Sequence, residues 1–114
     1  MIINSTWDIA VARNACRKFV LGEKLPLTMC ARAVAATAVF GEFILQSNEA
    51  GSLDFKAVPH DGKIGIDLVC SISRPDTQAP NLEALRSQLA RVTVNIDVHN
   101  LESRMEITVH LERV

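Results

Sequence analysis

The sequence predicts an α/β fold, a two-layer α/β sandwich with about three helices on one face of a mixed sheet. Three observations lead there. Apolar residues in the first half recur at helical spacing, and the central stretch TMCARAVAATAVFGEFILQ is apolar almost throughout and free of proline. The second half changes from helical to alternating periodicity. Each of its last strands carries one apolar and one polar row, the pattern of a sheet with one wet face and one face covered by helices.

In chain order, Met1 to Ile3 reads as a short apolar strand, and Ser5 stands three residues ahead of Asp8 as a capping-box-like start. The first helix then runs to about Leu21, with Ile9, Ala12, Ala15, Cys16 and Phe19 as its apolar stripe and Arg13, Arg17 and Lys18 off that stripe. In GEKLP, Gly22 is placed to end this helix, and Pro26 cannot sit in a helix interior. The central helix extends from about Thr28 to Gln46. A helix apolar nearly all round is expected to be buried nearly all round. One seam breaks that pattern: Thr28, Arg32, Ala35, Val39, Glu42 and Gln46 share a face.

Leu53, Phe55 and Ala57 alternate with polar residues, Pro59-His60-Asp61-Gly62 reads as a hairpin turn, and Ile64, Ile66, Leu68, Cys70 and Ile72 form the inner row of the next strand. A loop follows from Arg74 to Pro80, and Asn81 is placed to cap a third helix through about Ala90. Two strands close the chain. Their inner rows are Val92-Val94-Ile96-Val98 and Met105-Ile107-Val109-Leu111; their polar rows are Thr93-Asn95-Asp97-His99 and Glu106-Thr108-His110-Glu112.

The 114 residues suffice for one hydrophobic core and are too few for two, so the expectation is a single domain. A net charge of −1 provides no overall basic field for nucleic acid or an anionic membrane. Arg32 and Glu42 bracket the apolar run of the central helix below the roughly 18–20 residues of a membrane span, and MIINSTWD lacks the pattern of a signal peptide. Three widely spaced cysteines, Cys16, Cys30 and Cys70, read as reduced and buried, which points to the cytoplasm. His99 and His110 share the wet row of a hairpin without facing each other, no carboxylate pattern supports a metal site, and no Gly-rich phosphate loop is present. Residue types alone therefore show no active site.

The segments TWDIAVARNACRKFV and MCARAVAATAV, followed by the two-strand hairpin, resemble the partner-switching serine kinases of the anti-sigma-factor type. These are RsbT-like and RsbW-like members of the GHKL, or histidine-kinase-like, ATPase superfamily. Trp7-Asp8-Ile9, Ala12-Arg13 and Ala31-Arg32 fall in the RsbT-like register without a gap, and the likeness covers about residues 3 to 76. It implies a Bergerat-type fold, here as a single truncated domain over residues 1–114. It also implies regulation by exchange between a STAS-domain antagonist and a target such as a sigma factor or a phosphatase.

The chemistry that the resemblance implies is missing from its positions. Val39 stands where a glutamate orients the attacking hydroxyl, and Phe43 where an asparagine holds Mg²⁺. Ile72 replaces the aspartate that accepts from the adenine amino group, Arg74 and Asp76 replace the glycines beside the base, and TQAPNLEALRSQ stands in for the Gly-rich lid. The expectation is a degenerate regulatory domain that acts through protein contacts, without ATP, metal, nucleic acid or membrane. A register shifted by three residues offers Glu42 and Gln46 instead, and with them the alternative of a Mg-ATP-dependent kinase. A structural, dimerising subunit is the other alternative. Trp7, Arg13 and Arg17 are the candidate partner residues; the other reading of Trp7 is a staple between the helix start and the core.

Overall fold

In a computed structural model, residues 1–47, 51–60, 62–73, 82–93, 95–101 and 103–112 are described, His60 by its backbone only. The order is β1 (Ile2–Ile3), α1 (Thr6–Gly22), α2 (Leu27–Ser47), β2 (Gly51–His60), β3 (Lys63–Ser73), α3 (Leu82–Leu89), β4 (Ile96–Asn100) and β5 (Arg104–Leu111). The five strands form one sheet in the order β1-β2-β3-β5-β4.

Every ladder in this sheet is antiparallel, where a mixed sheet was expected. The connections explain it. Two helices, α1 and α2, separate β1 from β2, so the chain returns in the opposite sense. The single helix α3 does bring β4 parallel to β3, but β5 is inserted between them.

The start of α1 follows the sequence reading. Ser5 Oγ accepts from the Asp8 N–H at 3.3 Å, while Asp8 Oδ2 accepts from the Asn4 N–H at 2.8 Å and from the Ser5 hydroxyl at 3.2 Å. Its end differs. Gly22 remains helical, and the residue in the left-handed region is Lys24, at φ 58°. The Lys24 N–H donates to the Leu21 carbonyl at 3.0 Å and the Leu25 N–H to that of Val20 at 3.4 Å, a Schellman closure with buried Leu25 as its apolar contact. Lys24 is thus held where glycine is normally found.

The core lies between α1 and α2 on one side and the inner rows of β2, β3 and β5 on the other, with Phe40, Ile44, Leu53, Leu68, Ile72 and Ile107 among its fully buried side chains. Helix α2 is not buried nearly all round: Leu27, Ala31, Ala35, Glu42 and Gln46 are exposed. The sheet takes one side of it, α1 another, and α3 packs beside it through Leu85 and Leu89, which leaves the side with Ala31 and Ala35 open. By length and hydropathy α2 meets the criterion for crossing a membrane, but 56% of that window is buried within the fold, as in the core helix of a soluble domain. The two helices meet closely where Gly41 faces Ile9; a Cβ on Gly41 would lie 2.7 Å from Ile9 Cγ1.

The β2–β3 turn falls within the expected stretch 59–62: Pro59 pairs with Ile64 and His60 with Lys63, leaving two residues between the strands. Gly62, at φ 78°, supplies the left-handed position. Pro59 is tolerated because β1 pairs only with Gly51 and Ser52, so this end of β2 is an open edge. The last strands also depart from the expected rows. β4 begins at Ile96, and Thr93, assigned to the wet row, is 6% exposed. Its hydroxyl donates to the His110 carbonyl and accepts from the Asn95 N–H, both at 3.1 Å, which satisfies a buried polar group. The readings of Arg74 to Pro80 as a loop and of Asn81 as a cap lie outside the described residues.

Two substitutions are expected to act in opposite directions. Lys24→Gly relieves the left-handed conformation and should raise stability by about 1 kcal/mol. Gly41→Val forces α1 and α2 apart at Ile9 and should lower it by about 1–3 kcal/mol. Urea unfolding of both variants beside the parent chain measures each shift.

Candidate functional site

Of the positions that the resemblance assigns to nucleotide chemistry, the described ones line neither of the two surface depressions formed by the described residues that follow. Phe43 is buried at 8% exposure, and Val39 packs against the core from a half-buried position. Ile72 is enclosed at 1%, paired with Gly51 on one side and Met105 on the other. Glu42 and Gln46 are exposed on α2. Within the seam of α2, Arg32 has a structural partner: its Nε–H donates to the Val92 carbonyl at 2.9 Å and ties α2 to the segment after α3. Arg74 and Asp76 lie outside the described residues.

The cysteines sit in the core as expected. Burial pushes the Cys70 thiol up to about 12. Burial also raises Cys16, against a lowering hydrogen bond with Thr37. Both therefore remain protonated at neutral pH and are poor nucleophiles.

The candidate partner residues lie on the helical layer. Trp7 is 73% exposed, so the staple reading of Trp7 is overturned: Ser5 and Asp8 close the helix start by themselves, and the indole projects into solvent. Arg13 and Arg17 are exposed and line an open groove between α1 and α2 with Leu21, Leu27, Cys30, Ala31, Val34, Ala35 and Ala38. Its volume is about 450 Å³. The Arg13-Arg17-Leu21 row follows the i, i+4 spacing of α1, and Leu27-Ala31-Ala35-Ala38 follows the matching face of α2. The sequence reading had the two arginines but not the groove, whose opposite wall comes from residues assigned to a buried helix.

The other surface is the wet face of the sheet. Asp54 and Lys56 of β2, Asp67 and Ser71 of β3, Asp97 and His99 of β4, and Arg104, Glu106, Thr108 and His110 of β5 line a polar depression of about 390 Å³. Strand register brings them together. Lys56 is opposite Asp67, Asp67 opposite His110, Asp97 opposite Thr108, and His99 opposite Glu106. His99 and His110 do not face each other, as the sequence indicates. Carboxylates nevertheless surround His110, a pattern the sequence reading missed.

Its Nδ1 is 2.8 Å from Asp67 Oδ1 and its Nε2 is 2.7 Å from Asp97 Oδ2. A neutral imidazole has one N–H and would turn a lone pair toward one of the two carboxylates. Both contacts are satisfied only when each nitrogen donates, so the geometry selects the imidazolium. Burial lowers the affinity of His110 for its proton, but the hydrogen bonds to Asp67 and Asp97, together with their charges, outweigh it and raise the pKa above the ordinary 6.5. With both nitrogens so engaged, His110 has no lone pair for a metal. Among the described residues no group of three or more His, Cys, Asp or Glu side chains is arranged to hold one. The missing signal was register. Asp67 is 43 residues from His110 in the chain, and only the β3–β5 pairing makes them neighbours.

The folded pKa of His110 is raised, so its contribution to stability is fully present below about pH 6.5 and is lost as the pH rises through the folded value. Asp97→Asn removes one of the two charges that hold the proton. The melting-temperature advantage of the parent chain over this variant should be largest near pH 6 and shrink as the solution becomes alkaline, while the His110 ring resonances titrate at lower pH in the variant. A melting difference that does not depend on pH would refute the imidazolium assignment. Comparison of the chain with protein-family models, with curated proteins and with solved structures returns no match.

Proposed function

We propose that this chain is a regulatory protein-interaction domain that binds a partner protein through its helical layer and does not use nucleotide. The observation that carries the reading is the open, largely apolar α1–α2 groove edged by Arg13 and Arg17, with Trp7 exposed on the same helix. Concave apolar surface edged by arginine is a composition common to protein-recognition sites, and Trp7 adds an exposed aromatic elsewhere on the same helix. The enclosure of Phe43 and Ile72 supports the other half of the reading. A nucleotide there would have to displace core side chains, and its unpaired polar atoms would each cost about 1–3 kcal/mol.

The resemblance to anti-sigma-factor and switch kinases supplies the proposed class of partner: a STAS-domain antagonist, a sigma factor or a phosphatase in a cytoplasmic partner-switching pathway. In such a role the chain would act by occupancy, holding or releasing its partner, rather than by phosphoryl transfer.

Thermal melts with and without millimolar MgATP test the nucleotide half. A ligand present at a hundred times its dissociation constant adds about 2.7 kcal/mol to the folded state, a rise of several degrees in a domain of this size. The expected result is no shift. A clear rise with MgATP, unmatched by MgCl₂ with phosphate, would replace this reading with that of an ATP-dependent kinase using Glu42 and Gln46.

A further inference from the structure

We propose that the α1–α2 groove is the seat of an amphipathic helix that carries aspartate or glutamate beside its apolar stripe. This rests on the reading of the chain as a protein-binding domain and names the chemistry of the partner segment. The groove is the valley between two antiparallel helices, since Ile9 meets Gly41 near one end and Leu21 and Leu27 line the other. From Leu27 to Ala38 it extends about 17 Å along α2, three turns at 1.5 Å per residue. That length accepts an occupant of about three turns with apolar anchors at i, i+3 or i+4, and i+7. Ala31, Ala35 and Ala38 form a low floor that lets a backbone come close. Leu21, Leu27 and the aliphatic stems of the two arginines form the walls.

Charge decides which occupant fits. Arg13 and Arg17 are the only charged side chains among the described residues that line the groove. Among the described residues neither forms an ion pair. An incoming helix with carboxylates along one flank would answer both guanidiniums, with bidentate geometry open to each. A second copy of this chain seated groove to groove would bring two more arginines to the same place. An anionic membrane would supply negative charge, but a bilayer surface fits a convex apolar face better than a recess between two helices.

Three fluorescent peptides of about fourteen residues, enough for four turns, test the assignment by anisotropy. The first has leucines at helical spacing flanked by glutamate, the second the same leucines flanked by lysine, and the third the glutamates with serine in place of leucine. The first should bind the parent chain, with the second and third at least about tenfold weaker. Arg13→Glu with Arg17→Glu should reverse the preference between the first two. Ala35→Trp, at an exposed position on the groove floor, should abolish binding of the first peptide while the variant melts like the parent. Should that variant fail to fold, the charge reversal decides alone.

Equal binding of the acidic and basic peptides, or no binding of any, would overturn the assignment. So would a parent chain that sediments as a dimer and becomes a monomer with Ala35→Trp, or one that binds phosphatidylserine vesicles and ignores the acidic peptide. The two proposals fail separately. A stabilising effect of MgATP removes the non-nucleotide reading whatever the peptides do. Peptide failure without that effect removes only the acidic amphipathic helix as the occupant of the groove.

Discussion

The fold depends on how the apolar circumference of α2 is covered. Its 21 residues include ten buried ones, and no single neighbouring layer can enclose a helix with apolar residues on nearly every side. The inner rows of β2, β3 and β5 take one side and α1 takes a second, brought close by the absence of a side chain at Gly41. The side left over is populated by alanine, which is apolar enough to make the helix look uniformly buried and small enough to be tolerated in water. Beside that side, α1 presents Arg13 and Arg17. The groove therefore lies on the side of α2 that the sheet, α1 and α3 leave uncovered.

The two faces of the sheet divide the remaining work. The helix-facing rows of β2, β3 and β5 are apolar, and the described charges of the strands gather on the opposite face. There Asp67, His110 and Asp97 bind β3, β5 and the edge strand β4 across the grain of the sheet. The arrangement is partly exposed, with the His110 side chain 34% accessible and that of Asp97 59%, so solvent moderates its strength. Its value lies more in holding β4 in register than in bulk stability. β4 has only five residues and pairs on one side with β5, and a short edge strand has few backbone bonds to fix it.

The resemblance to switch kinases and the geometry bear on different parts of the proposal. The aligned segments fall on α1, α2 and the β2–β3 hairpin, the elements that make the helix-to-sheet core. The positions where catalytic groups would be needed carry side chains that this core absorbs: Phe43 and Ile72 are buried within it and Val39 packs against it. Core positions given over to packing leave the exposed outer side of the helices as the surface on which the proposed recognition would take place. This is the physical sense in which a domain could retain a fold and exchange one kind of site for another.

Much of the architecture was legible in the sequence because it is local. Helical spacing placed α1 and α2 within a residue or two, alternation placed β3 and β5, and Ser5 with Asp8 marked the start of α1, each signal lying within a few residues of chain. The left-handed closure at Lys24 was not legible, because packing of Leu25 forces a conformation that lysine does not favour by itself. Thr93 was misplaced for a related reason: its hydroxyl is satisfied by His110 and Asn95, partners that only the folded hairpin supplies. Both candidate surfaces belong to this second kind. Strand register set Asp67 and Asp97 about His110, and the antiparallel packing of α1 on α2 joined Arg13 and Arg17 to a row of alanines. Periodicity states which face of an element is apolar; only tertiary packing decides which of those faces is covered.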